Sequence, residues 1–219
     1  MADYATTAEV KTRINKTRAD EDASIAALIT AASRAIDEYC NRPDGFVAPA
    51  AGVARLYTGT GDFYMFVDEF IAVSAVEVKD SPSDTTYVAW SSGDYLAFAG
   101  DPATPEFNRL PFHGLMVSAT GDYDIFTSGQ YSSRRPGQPS RTTRRGVPTV
   151  RVTARWGYAA TVPAVVKEAC IAQTARWLKR SEAAWADSIA KGEFEQLQYF
   201  KGLDEAVQLM LSQMIRMAI

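Results

Sequence analysis

The apolar residues of this chain follow a helical period near both ends and a strand period in between. Near the N-terminus they recur every three or four residues, at Ile25, Leu28, Ile29, Ala32, Ile36, Tyr39 and Cys40. From about residue 53 to about residue 156, short β-rich runs alternate with turn clusters containing Gly, Pro, Ser and Asp. The helical period returns after Pro163. These changes predict helices at the two ends of the sequence and a β-rich part between them.

The last β-rich run has the clearest strand pattern. Its apolar residues alternate with polar ones, as Val150, Val152, Ala154 and Trp156 against Arg151, Thr153 and Arg155. Because successive side chains of a strand point to opposite faces, this run predicts one buried face and one solvated face. We expect the β part to be a small sandwich or a barrel-like sheet.

The helices begin at recognisable caps. Thr6 and Glu9 have capping-box spacing, and Thr161 followed by Pro163 suits the start of a third helix. Asp204 suits the N-cap of a final helix. The apolar side expected for this last helix is Val207, Met210, Leu211, Met214 and Ile215.

The predicted fold class is α+β, in which the N- and C-terminal helices form an α bundle with an inserted β-rich domain. The physical ground is that the second and third helices each carry an apolar stripe that must be buried. The expected parts are N-terminal helices (1–45), an inserted β-rich domain (46–156) with an Arg-rich loop (130–148), and C-terminal helices with a docking segment (157–219).

Composition narrows the classes of function. A formal net charge of -3 over 219 residues argues against polyanion binding by bulk charge. Cys40 and Cys170 lie in predicted helical stripes without metal-binding spacing, which predicts two buried free thiols. The polar N-terminus predicts no cleaved signal peptide, and no stretch approaches the roughly 20 apolar residues of a membrane span. We therefore expect no membrane partner.

The sequence offers little for catalysis. His113 is the single histidine, so a nucleophile–base pair has one candidate base, and we interpret it as a structural or surface residue. No zinc or redox motif is present, and Asp62, Asp68 and Glu69 are interpreted as turn and edge residues. The GTGDF run at 59–63 lies between strands and lacks a phosphate-loop lysine, so it predicts a hairpin turn. We expect no enzyme activity, no cofactor and no metal.

An Arg-rich stretch is the most unusual charge feature. No acidic residue occurs from Gln130 to Pro148, where the arginines are Arg134, Arg135, Arg141, Arg144 and Arg145. The Gly, Pro and Ser content predicts a long loop. Its arginines are either simply solvated or contact DNA phosphates or an acidic partner, since guanidinium groups pair well with both.

A group of aromatic residues near the C-terminus also has two interpretations. Its members are Trp177, Trp185, Phe194, Tyr199 and Phe200. They either pack in the core or, in the helix-permissive segment from 181 to 202 with Gly192 and Gly202, dock on a portal or subunit surface. The docking interpretation assigns Trp185, Phe194, Tyr199 and Phe200 to the interface.

Two segments resemble the head–tail connector, or adaptor, proteins of tailed bacteriophages and related gene-transfer particles. The first is YATTAEVKTRINKTRADEDASIAALITAASRAIDEYCNR, with a short helix and then a long alanine-rich helix that ends near a Tyr and an Arg. The second is VRVTARWGYAATVPAVVKEACIAQTARWLKR, with a strand ending in Trp-Gly-Tyr before a proline-started helix. DYLAFAGDPATPEFNRL, between them, is similar to the inserted β part of longer members.

The resemblance implies a structural subunit of the virion neck, made in the host cytoplasm. It implies a ring of copies, about twelve by analogy, under the portal protein, continuing the DNA channel towards a stopper or tail-completion protein. Trp156, Gly157 and Tyr158 are then expected to form a structural corner between strand and helix. The alternative is a nucleic-acid-binding accessory protein that uses the Arg-rich loop.

Overall fold

The computed structural model describes residues 2–17, 19–131, 145–182, 188–191, 195–198 and 202–216. The helices are α1 (Thr7–Ile14), α2 (Asp22–Tyr39), α3 (Ala164–Glu182) and α4 (Glu205–Leu211), followed by a 3-10 turn at Ser212–Met214. The strands are β1 (Val53–Tyr57), β2 (Tyr64–Val78), β3 (Val88–Ala89), β4 (Tyr95–Asp101), β5 (Thr104–Glu106), β6 (Phe112–Val117), β7 (Gln130–Tyr131), β8 (Arg145–Gly146), β9 (Val150–Trp156), β10 (Ser188–Lys191) and β11 (Glu195–Gln198).

The chain divides into two units. One comprises Met1–Val47 and Thr161–Ile219, and the other comprises Ala48–Ala160. We call them the helical unit and the sheet unit.

The sheet unit is built on a seven-stranded antiparallel sheet. Its strand order is β1-β9-β2-β6-β4-β5, with β3 paired to β2. The long strand β2 pairs with β6 near its start and with β9 further on, and its register shifts between Phe66 and Phe70. Such shifts bend a strand. The sequence shows the β-rich runs FYMFV (63–67) and VSAVEVK (73–79) as separate, and the structure joins them in the single strand β2.

A large hydrophobic cluster fills the sheet unit. It contains Met65, Val67, Phe70, Val76, Val78, Trp90, Tyr95, Leu115, Phe126, Val150, Val152, Ala154 and Trp156. Strand β9 alternates between buried and half-buried residues, as its sequence pattern predicts. Trp90 stacks on Tyr123 and on Phe126, with ring centroids 4.4 and 5.1 Å apart.

In the helical unit, α2 and α3 pack together through apolar faces. Ile25, Ile29 and Ile36 on α2 are fully buried, as are Val166 and Ala169 on α3. The capping box predicted for α1 is present: Thr6 Oγ1 accepts the Glu9 N–H, and Glu9 accepts the Thr6 N–H. Asp204 caps α4 by accepting the Ala206 N–H at 3.0 Å.

The predicted fold class is wrong. The fold is a mostly antiparallel seven-stranded sheet with four helices, instead of an α bundle with an inserted β-rich domain. Helices α1 and α4 have eight and seven residues, which is too short to build a bundle wall. In addition, Ser188–Lys191 and Glu195–Gln198 form the strands β10 and β11, although the composition of 181–202 permits a helix. The helical periodicity near both ends of the sequence thus predicted more helix–helix packing than the structure has.

Candidate interaction surfaces

His113 makes structural contacts. Its Nε2 lies 3.0 Å from the carbonyl oxygen of Gly100, and its ring stacks on Phe66 at 5.8 Å with a 14° interplanar angle. Among the residues that the structure describes, no group of three or more His, Cys, Asp or Glu residues could hold a metal ion. The histidine thus lies in a packed aromatic setting beside a main-chain carbonyl.

The two cysteines are free and buried, as the sequence predicts. Burial raises the pKa of the Cys40 thiol to about 11, and burial also raises the pKa of Cys170. Since only the thiolate is a good nucleophile or metal ligand, both thiols are unreactive at neutral pH.

Asp68 on β2 is linked to β1 by side-chain hydrogen bonds, although β9 lies between these strands in the sheet order. Its Oδ2 accepts hydrogen bonds from Arg55 Nη1 at 2.8 Å and from the Tyr57 hydroxyl at 2.9 Å. Arg55 also lies over the Trp156 ring, 4.8 Å from its centroid. Burial raises the pKa of Tyr57, so its hydroxyl stays a donor to the carboxylate. No local pattern in the sequence predicts this link, because residues 55 and 68 lie on different strands.

The Trp156-Gly157-Tyr158 segment follows the end of β9. Trp156 is buried and its Nε1 donates to the Val53 carbonyl at 2.7 Å. Gly157 has φ +144°, and a Cβ there would lie 2.8 Å from the Cα and N of Ala48. Tyr158 is half-buried. This close approach requires glycine, and the corner role of the three residues stays a prediction.

The described residues that flank the Arg-rich loop are anchored to the sheet unit. Gly129 N–H donates to the Gly59 carbonyl at 3.0 Å, and Val147 N–H donates to the Gly129 carbonyl at 2.8 Å. Thr149 Oγ1 donates to the Thr127 carbonyl at 2.6 Å. These hydrogen bonds therefore fix the residues next to the short strands β7 and β8 to the rest of the sheet unit.

The arginines themselves are placed only in part. Arg145 belongs to β8 by its backbone, and its side chain is outside the described part. Arg134, Arg135, Arg141 and Arg144 lie outside the described residues. Their predicted contact with DNA or an acidic partner stays a prediction.

The C-terminal segment is fastened to α2 and α3 by polar contacts. Arg42 Nε donates to the Met214 carbonyl at 3.0 Å, and Arg216 N–H donates to the Cys40 carbonyl at 2.9 Å. From α3, Gln173 accepts the Asp204 N–H at 2.9 Å, and Arg176 pairs with the Asp204 carboxylate. These contacts fix both ends of α4.

The exposed side of α4 carries apolar side chains as well as Glu205. Val207 and Leu211 are buried, whereas Leu209 is 76% exposed and Met210 and Ile215 are also exposed. The sequence pattern placed Met210 and Ile215 on the buried side, because it extended the helix beyond Leu211, where the structure has a 3-10 turn. The four residues predicted to dock, Trp185, Phe194, Tyr199 and Phe200, lie outside the described residues.

The described side chains thus form packing contacts and hydrogen-bonded anchors. Residues 4–102 match the family model described as "Head completion protein". This match confirms the resemblance to head–tail connector proteins seen in the sequence. No curated protein sequence matches the chain.

A solved structure has a similar fold. One chain of "Neck of empty GTA particle computed with C6 symmetry" superposes with a TM-score of 0.51 at 13% sequence identity. The match covers 97% of this chain and 90% of that one, so it spans the helical and the sheet unit. The head completion match agrees with the virion location that the resemblance implied. None of the described helices is long and apolar enough to span a membrane.

Proposed function

We propose that this protein is a structural subunit of the neck of a tailed phage or gene-transfer particle, where it joins head to tail. The observation that carries the proposal is the head completion match over residues 4–102. The likeness in fold to a chain from a particle neck, over almost the whole length, supports it. In this role the subunit works by binding its neighbours and catalyses no reaction.

The proposed assembly is a ring of copies under the portal protein, of about twelve by analogy with the connector family. A closed ring needs two different and complementary side surfaces on each subunit. The ring would continue the DNA channel and present its far side to a stopper or tail-completion protein. Trp156, Gly157 and Tyr158 are proposed to form a structural corner after β9 that is the same in every copy.

We further propose that the C-terminal segment docks on the portal. Leu209 and Met210 are exposed apolar residues on α4, and the segment that precedes this helix in the sequence is rich in aromatic residues. Buried aromatic side chains supply much of the binding energy in protein interfaces. Trp185, Phe194, Tyr199 and Phe200 are the proposed anchors.

The Arg-rich loop is proposed to meet packaged DNA. Each phosphate contact releases counterions, so binding through Arg134, Arg135, Arg141, Arg144 and Arg145 would weaken steeply with salt. Replacing all five arginines with glutamine should reduce the salt dependence of DNA binding by the assembled ring. The matched variant with five lysines keeps the charge and should retain most of the binding. Unchanged DNA binding by the ring of the glutamine variant would contradict a role of the loop in DNA contact.

The decisive experiment is cosedimentation of the full chain with the portal ring from the same particle, followed by negative-stain imaging. A stoichiometric complex with a collar on the narrow end of the portal is the expected result. Absence of binding across a range of salt concentrations would contradict the neck assignment. DNA binding by the protein without the portal would then favour the nucleic-acid-binding alternative.

A further inference from the structure

The two outer edges of the seven-stranded sheet differ in how they resist pairing with another strand. At one edge, β5 has three residues and contains Pro105, which has no N–H to donate, and Glu106. At the other edge, β1 has five residues, VARLY, without proline, lysine or an acidic residue. Proteins block an exposed edge with prolines, charges or short strands. The β5 edge has these features and the β1 edge lacks most of them.

Strand β1 is a firmly held strand with an open side. It pairs with β9 alone among the strands that the structure describes. Asp68 on β2 accepts hydrogen bonds from Arg55 and Tyr57 on β1. The Trp156 indole N–H donates to the Val53 carbonyl. At the same time Val53 is 53% exposed and Leu56 is 56% exposed. A rigid strand with exposed apolar side chains is a suitable template for strand addition.

The hairpin of β10 and β11 forms a sheet of two strands only, among the strands that the structure describes. Its two four-residue strands pair with each other, from Ser188 opposite Gln198 to Lys191 opposite Glu195, and with no other described strand. A two-stranded hairpin by itself is at best marginally stable in water, whereas a third strand stabilises it. Each chain therefore carries a sheet edge, β1, that can pair with a further strand. It also carries a hairpin, β10 and β11, that pairing with a further strand would stabilise.

We propose that the hairpin of one copy adds to the β1 edge of a neighbouring copy, so that the two sheets become continuous between subunits. The pairing strand is β11. Each strand of the hairpin carries one charged residue, Lys191 on β10 and Glu195 on β11, and lysine is the charge most typical of strands that stay at an edge. The four residues of β11 fit along the five of β1. This inference rests on the proposed ring, because the contact joins two different surfaces and can repeat head to tail around a closed assembly.

Disulfide trapping between two separately purified variants tests the contact directly. One full-length variant carries Ala54→Cys or Leu56→Cys, and its size-tagged partner carries a cysteine at one of the four β11 positions, Glu195 to Gln198. The two are mixed on the portal ring and oxidised. Cysteines bridge only when their Cα atoms lie within about 7 Å, and adjacent strands are about 5 Å apart. A mixed-size dimer on a non-reducing gel is expected for at least one β11 position.

Ile189→Cys on β10 is the matched control. In the proposed arrangement β10 lies one strand further out, about 10 Å from β1, so it should not cross-link to Leu56→Cys. The native Cys40 and Cys170 are buried and do not compete. Because the two engineered cysteines are on different chains, a contact within one chain cannot produce the mixed dimer.

A charge placed on the edge gives an independent measurement. Leu56→Lys should weaken ring formation on the portal at least tenfold, because lysine on an edge strand opposes strand addition. Leu96→Lys, at a leucine on β4 of the same sheet that is also exposed, is the matched control and should leave ring formation unchanged. Circular dichroism spectra identical to that of the parent protein establish that both variants fold.

The outcomes separate this inference from the function on which it rests. Rings that form normally with Leu56→Lys, without any cross-link from the four β11 positions, overturn the strand addition and leave the neck assignment intact. Cross-linking of β11 to the portal instead of β1 also overturns it. Failure of the parent protein to assemble with the portal under any condition defeats the proposed function, and the inference with it.

Discussion

The helical unit and the sheet unit join distant parts of the chain by different means. In the sheet unit, backbone ladders connect strands that are far apart in sequence, such as β1 with β9. A helix satisfies its own backbone groups internally, so α2 and α3 must hold other segments with side chains. Buried polar links such as Tyr4 with Asp37 and Arg42 with Met214 are the result. Stability should therefore depend mainly on apolar packing and on glycines at close contacts in the sheet unit. In the helical unit it should depend on side-chain polar links as well as on the apolar contact between α2 and α3.

The largest effect is expected from Phe70→Ala in the sheet unit. Phe70 is fully buried between Phe112 and Trp156, with ring centroids 5.6 and 5.9 Å away. Removing the ring leaves a cavity and should lower the free energy of unfolding by about 3–5 kcal/mol. Urea denaturation measures this loss, and Phe63→Ala, at a half-exposed ring on the loop before β2, is the control with a small expected effect. Equal losses for the two variants would contradict an aromatic core as the main support of the sheet.

Gly157→Ala should have the next largest effect. The new Cβ would meet the Ala48 backbone at 2.8 Å, and φ +144° is strained for any other residue. We expect a loss of about 2–4 kcal/mol in unfolding free energy. Gly93→Ala is the matched control, since a Cβ at that glycine meets nothing within 4 Å. A similar denaturation midpoint for both variants would show that the corner adapts and does not need a glycine.

Tyr4→Phe tests a polar link in the helical unit. The Tyr4 hydroxyl donates to Asp37 and accepts the Phe46 N–H at 2.9 Å, so it joins three segments of the chain. Its loss leaves two buried groups without this partner and should cost about 1–3 kcal/mol. Tyr39→Phe is the control, because the Tyr39 hydroxyl makes one long contact, 3.4 Å to Gln208. A loss no greater than in the control would break the contrast between the two units.

The smallest effect concerns pH and the attachment of α1. The hydrogen bond from Lys167, with those from Thr6, lowers the pKa of Glu9 from 4.5 to about 2. Because the folded-state pKa lies below the unfolded one, the stabilisation is present above about pH 4.5 and is lost as the pH falls towards 2. Glu9→Gln should therefore show a smaller decrease in urea midpoint than the parent protein between about pH 5 and about pH 3.

A double-mutant cycle sharpens this last prediction. Lys167→Met should reduce the acid sensitivity in the same direction, and adding it to Glu9→Gln should produce little further change. Additive changes would show that the two side chains act independently, in conflict with their 2.9 Å ion pair. The half-exposed setting of this pair makes the effect sensitive to salt.

Local patterns in the sequence predicted much of the secondary structure. The capping box at Thr6 and Glu9, the N-cap at Asp204 and the alternation along β9 all depend on residues within a few positions, and all are present. The prediction failed where local preference was weak, as in 188–198, where strand pairing outweighed helix-permissive composition. The candidate interaction surfaces were less predictable, because exposure at Val53, Leu56 and Leu209 depends on which neighbours a segment finds.

The sequence by itself therefore determined the caps of α1 and α4, the buried face of β9, the two buried free cysteines and the resemblance to connector proteins. These follow from local propensity, from periodicity and from two recognisable segments. Only the tertiary structure decided that a seven-stranded sheet organises the fold, and that β1 lies at its edge while β5 blocks the other. Strand order depends on pairing between distant segments, and no local pattern records which segments meet.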